Sequence, residues 1–327
     1  MIRILAAGLL SCLVSLSVAA AAPPTVLIHG IPHQALFDLA FDGAQGIAVG
    51  AGGQILRSGD AGKTWTAERS PITLGLLGVA LRGGHSIAVG QAGSILVHNG
   101  AEPWREVKVD NAERLLSVDL NASGLAVAVG SFGTVLKSTD FGETWASIAP
   151  DWPRYFVAEK DTLGEGFSPH VYGVSVSDSG RVLIVGELSM ILARAPGGSA
   201  WTLVHRGTLV DGRPDPSLFN IKLRGDGSGF AVGQAGAVLR TRDDGASWTR
   251  LDSGSPAILL GIEAGGSGHV LVTGIREVIV SDNDGDSWTP IHAPDIKSGW
   301  YSAVAKPAGA PYALAVGHAG TILSIPD

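Results

Sequence analysis

Seven times along the chain an apolar stretch runs into Val-Gly or Thr-Gly, breaks at a few small or polar residues, and resumes as a second apolar stretch. The glycines are Gly50, Gly90, Gly130, Gly186, Gly233, Gly274 and Gly317. A spacing of roughly 40 residues is the length of one four-stranded propeller blade. Ahead of each glycine lies another short segment. The copies are Leu36-Phe37-Asp38-Leu39, Leu76-Leu77-Gly78-Val79, Leu115-Leu116-Ser117-Val118, Val171-Tyr172-Gly173-Val174, Leu218-Phe219-Asn220-Ile221, Leu259-Leu260-Gly261-Ile262 and Trp300-Tyr301-Ser302-Ala303. The third position is small or polar and the second and fourth are apolar, so the period is two, as in a strand. On this pattern the apolar side packs on a neighbouring blade, which puts Tyr172 and Tyr301 in the core. The small side lets the inner strands crowd around a channel. The glycine after the second strand is expected to supply backbone freedom for a tight turn.

A polar turn, S-x-D-x-G-x-[TS]-W, follows the third strand of four repeats. It is carried by Ser58, Asp60, Gly62 and Trp65; by Ser138, Asp140, Gly142 and Trp145; by Thr241, Asp243, Gly245 and Trp248; and by Ser281, Asn283, Gly285 and Trp288. Only Trp104 and Trp201 remain of it in two other repeats. An Asp or Asn here accepts nearby backbone N–H groups, Gly takes the strained dihedral, and Trp covers the turn. This is the Asp-box, or BNR repeat, and its residues read as structural. The seventh repeat stops at Leu323-Ser324-Ile325 with no fourth strand. The β-prone run Thr25–His29 is free to supply it, which would hide two sheet edges. The fold expected is therefore all-β: a seven-bladed β-propeller with Asp-box repeats, one domain over 21–327, closed by an N-terminal strand.

The formal net charge of −7 is spread along the chain, which argues against nucleic acid as partner. Arg3 followed by the apolar run Ile4–Val18 and the small residues Val18-Ala19-Ala20 reads as a signal peptide cleaved near residue 20, hence a periplasmic or secreted protein. The single cysteine, Cys12, lies inside that segment, and a lipoprotein reading of Leu9–Cys12 is disfavoured by the short apolar core ahead of it. No disulfide, cysteine chemistry, metal or cofactor is expected in the mature chain. His29 and His33 are interrupted by Gly30 and Pro32, and Asp282–Asp286 falls inside a boxed turn.

Two connections from a fourth strand to the next first strand are long: Trp145 to Val171 and Trp201 to Leu218. Strand polarity puts them on the same rim as the turns between second and third strands, and long loops on a rigid scaffold commonly carry function. The candidate partner-binding residues are Trp152, Arg154, Tyr155, His170, His205, Arg206 and Arg213, with Phe132, Glu187 and His318 on the turns.

The phrase AVGxxGxILRSxDxGxTW, repeated behind an apolar leader, resembles the photosystem II stability/assembly-factor-like family of Asp-box propellers over essentially the whole mature chain. The resemblance implies a seven-bladed, non-catalytic assembly or stability factor that binds a protein partner in an envelope or membrane complex, and a monomer is expected. The arginine-rich partner patch of the photosynthetic members has no motif match here. Two alternatives share the scaffold. A sialidase-like glycan-binding or glycoside-hydrolysing propeller needs an arginine cluster and a Tyr–acid pair at the channel mouth, and Gly30-Ile31-Pro32 has Gly where its early signature has Arg. An accessory ligand-binding protein of an envelope transport system would show a deep apolar channel mouth.

Overall fold

The computed structural model describes residues 22–327 except 32, 101, 111, 112, 208, 211, 212 and 267. The leader and Cys12 lie outside the described residues. Seven antiparallel four-stranded sheets form the blades of a propeller. The first blade shows the plan: Leu36–Asp42 innermost, then Gln45–Gly50, Ile55–Ser58 and Thr66–Glu68 outermost. Blade seven takes its three inner strands, Tyr301–Ala305, Tyr312–Gly317 and Ile322–Pro326, from the end of the chain. Its outermost strand is Thr25–Ile28, with Thr25 opposite Ser324 and Ile28 opposite Ile322. The N-terminal strand therefore closes the ring, as the repeat count predicts.

Seven apolar clusters occupy the boundaries between consecutive blades. At the closing boundary Leu36, Leu39 and Leu56 of blade one meet Leu314, Val316 and Ile322 of blade seven. No blade buries its own faces alone, so the ring is one cooperative core. Polar stitches add to the packing. Asp38 accepts the N–H of Val79 in the next blade at 2.8 Å, and Asp119 accepts that of Val176 at 2.7 Å.

The inner strands correct the sequence pattern. Every pairing of an inner strand with its neighbour slips after the first residue, as between Leu36 and Asp38. This bulge re-aims the second residue. The first and fourth positions, Leu36 and Leu39 in blade one, are the buried ones. The second position faces the channel, so Tyr172 is half-buried at its mouth and is not a core aromatic. In blade seven Tyr301 pairs with Gly317 as Leu36 pairs with Gly50. The repeat there reads Tyr301-Ser302-Ala303-Val304, one residue later than the apolar pattern suggests. Tyr301 is fully buried, and burial pushes its phenol up to about 12.

The turn glycine is also explained differently. Gly130 is extended, at φ −167°, so it needs no special dihedral. A Cβ there would lie 2.1 Å from the carbonyl oxygen of Arg114, and the other six anchors face the same obstruction. The left-handed residue is two places later, where Gly52, Ala92 and Ala235 sit. Three copies put large side chains in this position: Phe132 at φ 51°, Leu188 at 59° and Arg276 at 58°.

The boxed turns are self-bonded as their sequence implies. Ser58 Oγ donates to Asp60 and accepts the N–H of Gly62 at 2.8 Å; Asp60 accepts the N–H and hydroxyl of Thr64; Trp65 Nε1 donates to Gly62 O. These bonds, chiefly from the Thr or Ser hydroxyl before the Trp, hold the carboxyls of Asp60 and Asp243 down to about 2. Each box also leans on the preceding blade: Gly142 packs against Ile87 and Val97, and Gly245 against Leu183.

Candidate functional site

The two ends of the channel differ in chemistry. On the rim formed by second-to-third-strand turns and blade-to-blade connections, the re-aimed second positions make an apolar mouth. Phe37, Leu77, Leu116, Tyr172, Phe219 and Leu260 surround a cavity of about 260 Å³. Ser302 takes the seventh place, and Asp38, Ser117 and Asn220 form its polar floor. Two residues before each second position, just ahead of the inner strand, comes an upper tier containing Arg114, His170, Ile258 and Trp300. Trp300 stacks on Phe37 at 6.2 Å, and His170 lies 6.1 Å from Tyr172, which meets Phe219 edge-on at 5.0 Å. Together the tiers form a vestibule.

Phe132 extends this aromatic chain outward. It is 65% exposed, its ring lies 5.0 Å from that of His170, and its N–H donates to His170 Nδ1 at 3.3 Å. The N–H of His170 donates in turn to the carboxylate of Glu187 at 2.9 Å. Phe132, His170 and Glu187, all expected from sequence, are thus brought together. His318 sits across the mouth, packed on Tyr301 and over Gly299, with its Nδ1 buried and unpartnered among the described residues. Ile31, Leu74, Val157 and Ile275, also exposed, stand on the same rim as Phe132.

The long connection before blade four is pinned down. Trp152, expected among the partner contacts, is only 4% exposed and donates through Nε1 to Gly133 O at 2.9 Å. It and Phe156 fill the cluster between blades three and four, so Trp152 has no face to offer. Tyr155 donates to Trp201 O, and Arg206 is engaged by Tyr155 O and the carboxylate of Glu159. Arg154 remains exposed, its guanidinium 5.5 Å from the Tyr155 ring. His205 lies on the outermost strand of blade four, where burial lowers its pKa. Arg213 belongs to a small hairpin, Leu209–Val210 with Arg213–Pro214, off the blade.

Below the vestibule the bore is charged. Burial pushes Asp38 up to about 7, against the two N–H bonds it accepts, and raises Asp119. Glu263, with Asp119 and Asp38, raises Lys222, which is exposed to the bore. The far mouth is a polar cavity of about 610 Å³ lined by Arg82, Asp178, Lys222, Arg224, Asp226 and Asp244. The arginines there are spent on ion pairs between blades: Arg82 with Asp178, Arg181 with Asp244, and Arg224 with Asp284. By contrast Arg114 and Arg276 are exposed and make no ion pair among the described residues. Leu77, Leu116, Phe219, Trp300 and Arg114 were not legible as site residues, because the bulge that aims the mouth leaves no mark in an apolar alternation.

A family model described as photosynthesis system II assembly factor YCF48 matches residues 153–325, more than half of the chain. No curated protein matches it. Among solved structures, YCF48 bound to D1 peptide superposes with a TM-score of 0.71 at 17% identity, covering 94% of this chain and 97% of that one. YCF48 from Cyanidioschyzon merolae gives 0.71 at 18% identity, covering 93% and 98%. The Cps50 (Swd1) β-propeller domain of Myceliophteria thermophila gives 0.68 at 10% identity, covering 93% and 99%. At these identities the superpositions speak for the fold.

Proposed function

Because the chain belongs to the photosynthesis system II assembly factor YCF48 family, we propose that it is a non-enzymatic, polypeptide-binding assembly factor that engages its partner through the vestibule rim. The observation that carries this reading is the asymmetry of the ring. Among the described residues, five of the six exposed large apolar side chains stand on that rim, whereas arginines of the other rim pair with carboxylates of other blades. Aromatic and Arg residues are favoured interface anchors, and Phe132 holds its ring outward on a left-handed backbone that costs stability. A member of the family has been seen bound to a D1 peptide, which supports a polypeptide ligand here. The apolar leader Ile4–Val18 supports an exported chain and a partner in an envelope or membrane complex.

Photo-crosslinkers at position 132 and at Lys63, on the boxed rim, test the reading in native envelopes. Crosslinks to one defined polypeptide are expected from 132 and not from 63. Equal labelling from both would refute it. N-terminal sequencing of the envelope-fraction protein tests export: a start near residue 21 is expected, and an intact Met1 recovered from the cytoplasm would refute it.

The apolar mouth also favours a second reading, an accessory protein that binds a free hydrophobic compound. Its volume lies below the roughly 300–1,000 Å³ of small-molecule pockets, which favours a protruding side chain. A glycosidase is not favoured by the geometry. Burial, with Glu187 nearby, raises the Tyr172 phenol, the opposite of an activated nucleophile.

A further inference from the structure

We propose that the vestibule is a socket for one aromatic side chain of an extended partner segment, and that Arg114 reads an acidic residue beside it. This rests on the polypeptide-binding reading above and names what that site takes. Three observations carry it. The walls are aromatic on opposite sides, Tyr172–Phe219 facing Phe37–Trp300, with Leu77, Leu116 and Leu260 between. Aromatic side chains gain from edge-on and offset partners beyond the area they bury. Next, the depth is limited. Asp38, Ser117 and Asn220 border it below, where the charged bore begins, and an apolar cavity of about 260 Å³ admits a single side chain but not a helix of roughly 10–12 Å diameter. A segment that drops one side chain into such a hole must run extended across the mouth.

The third observation is electrostatic. Arg114 lies two residues before Leu116, the place held in their blades by His170 and Trp300, whose rings border the mouth. It is exposed and makes no ion pair among the described residues. The carboxylate of Glu187 is already held by the N–H of His170. An aromatic residue with a carboxylate two positions away matches this spacing, because alternate side chains of an extended segment point the same way.

The test uses the full mature protein and the capped peptide acetyl-Gly-Ser-Phe-Gly-Glu-Ser-amide, with binding measured by calorimetry. Saturable binding is expected. Replacing Phe by Ala in the peptide should weaken it at least tenfold. Leu116→Trp, which fills the hole from its own wall, should do the same with an unchanged melting curve. Arg114→Glu should weaken binding several-fold, and a peptide with Lys in place of Glu should restore it. Equal affinity for the Ala peptide, undiminished binding to Leu116→Trp, or no restoration by the Lys peptide would overturn the socket. So would free indole binding as tightly as the peptide, which points to a hydrophobic compound. If Leu116→Trp binds normally while position 132 still crosslinks to a polypeptide, the socket fails and the broader reading stands. If neither signal appears, both fail.

Discussion

The backbone N–H of Phe132 donates to Nδ1 of His170 across the boundary between the third and fourth blades, at 3.3 Å. In this bond Nδ1 is the acceptor, the role that ring nitrogen has in the Nε2–H tautomer. The bond steadies a turn whose central residue has φ 51°, a conformation that costs a side-chain-bearing residue about 1–2 kcal/mol.

Phe132→Gly separates stability from function. The substitution removes the left-handed penalty, so the melting temperature should stay level or rise by a few degrees. It also removes the outward ring, so partner crosslinking and capture should fall. A variant that loses stability and keeps its partner would make Phe132 a purely structural residue.

Gly130→Val should destabilise the ring by about 3 kcal/mol or more, because a backbone oxygen cannot move aside as a side chain can. Asp140→Ala, which empties one boxed turn, should cost about 1–2 kcal/mol through its lost hydrogen bonds. Denaturant melts of both variants check the order. Wild-type stability in the Val variant would contradict the close approach of Gly130 to Arg114 O.

The long connection before blade four makes a prediction opposite to the one its length invites. Trp152→Ala empties a site in the core and breaks the bond to Gly133 O, so a loss of about 3–5 kcal/mol is expected. Residual capture by the folded fraction should match wild type. Val157→Ser, on the exposed part of the same loop, should leave the melt unchanged.

Stability should depend on pH at both ends of the range. Asp38 has its carboxyl raised from 3.8 to about 7 in the folded protein. Its contribution is complete below the unfolded value near 4 and is lost as pH rises through 7. Asp60 and Asp243 are lowered to about 2. Theirs is present above 4 and is lost as pH falls toward 2. The melting temperature should therefore be highest at about pH 4 to 5 and decline from there through about pH 7. Asp38→Asn should flatten the upper decline, since Asn220 already fills the same position in blade five with an amide oxygen on the next N–H. An unchanged slope between pH 5 and 8 would show that Asp38 is not the group responsible.

Thr25–Ile28 closes the last blade, so its deletion should lower the melting temperature and leave two open edges that promote self-association. Size-exclusion chromatography beside a thermal melt decides the matter. A clean monomer with an unaltered melt would mean that the ring holds without it.

Blades, boxed turns and closing strand were legible because each is written as a local residue type at a fixed spacing. The glycine anchors forbid a Cβ, the box residues bond to their own turn, and an unassigned β-prone run met a repeat lacking a strand. What escaped was aim. A bulge after Leu36 turns Phe37 from the core to the channel, yet an apolar residue in either place looks the same in sequence. Trp300-Tyr301-Ser302 satisfied the apolar-apolar-small pattern one residue too early, and only the pairing of Tyr301 with Gly317 corrects it. Trp152 looked like an interface anchor for the same reason: its type is common to cores and interfaces, and burial depends on where Gly133 O lies.

The strand Thr25–Ile28 runs toward the vestibule rim, with Thr25 beside Ser324 and Ile28 beside Ile322. The chain thus enters the ring at the boxed rim, in the gap where a seventh boxed turn would otherwise join the third and fourth strands of that blade. The closing strand is therefore laid from the charged end of the channel toward the aromatic mouth, so the hydrogen bonds that seal the ring and the surface that faces a partner meet at the same end of one strand.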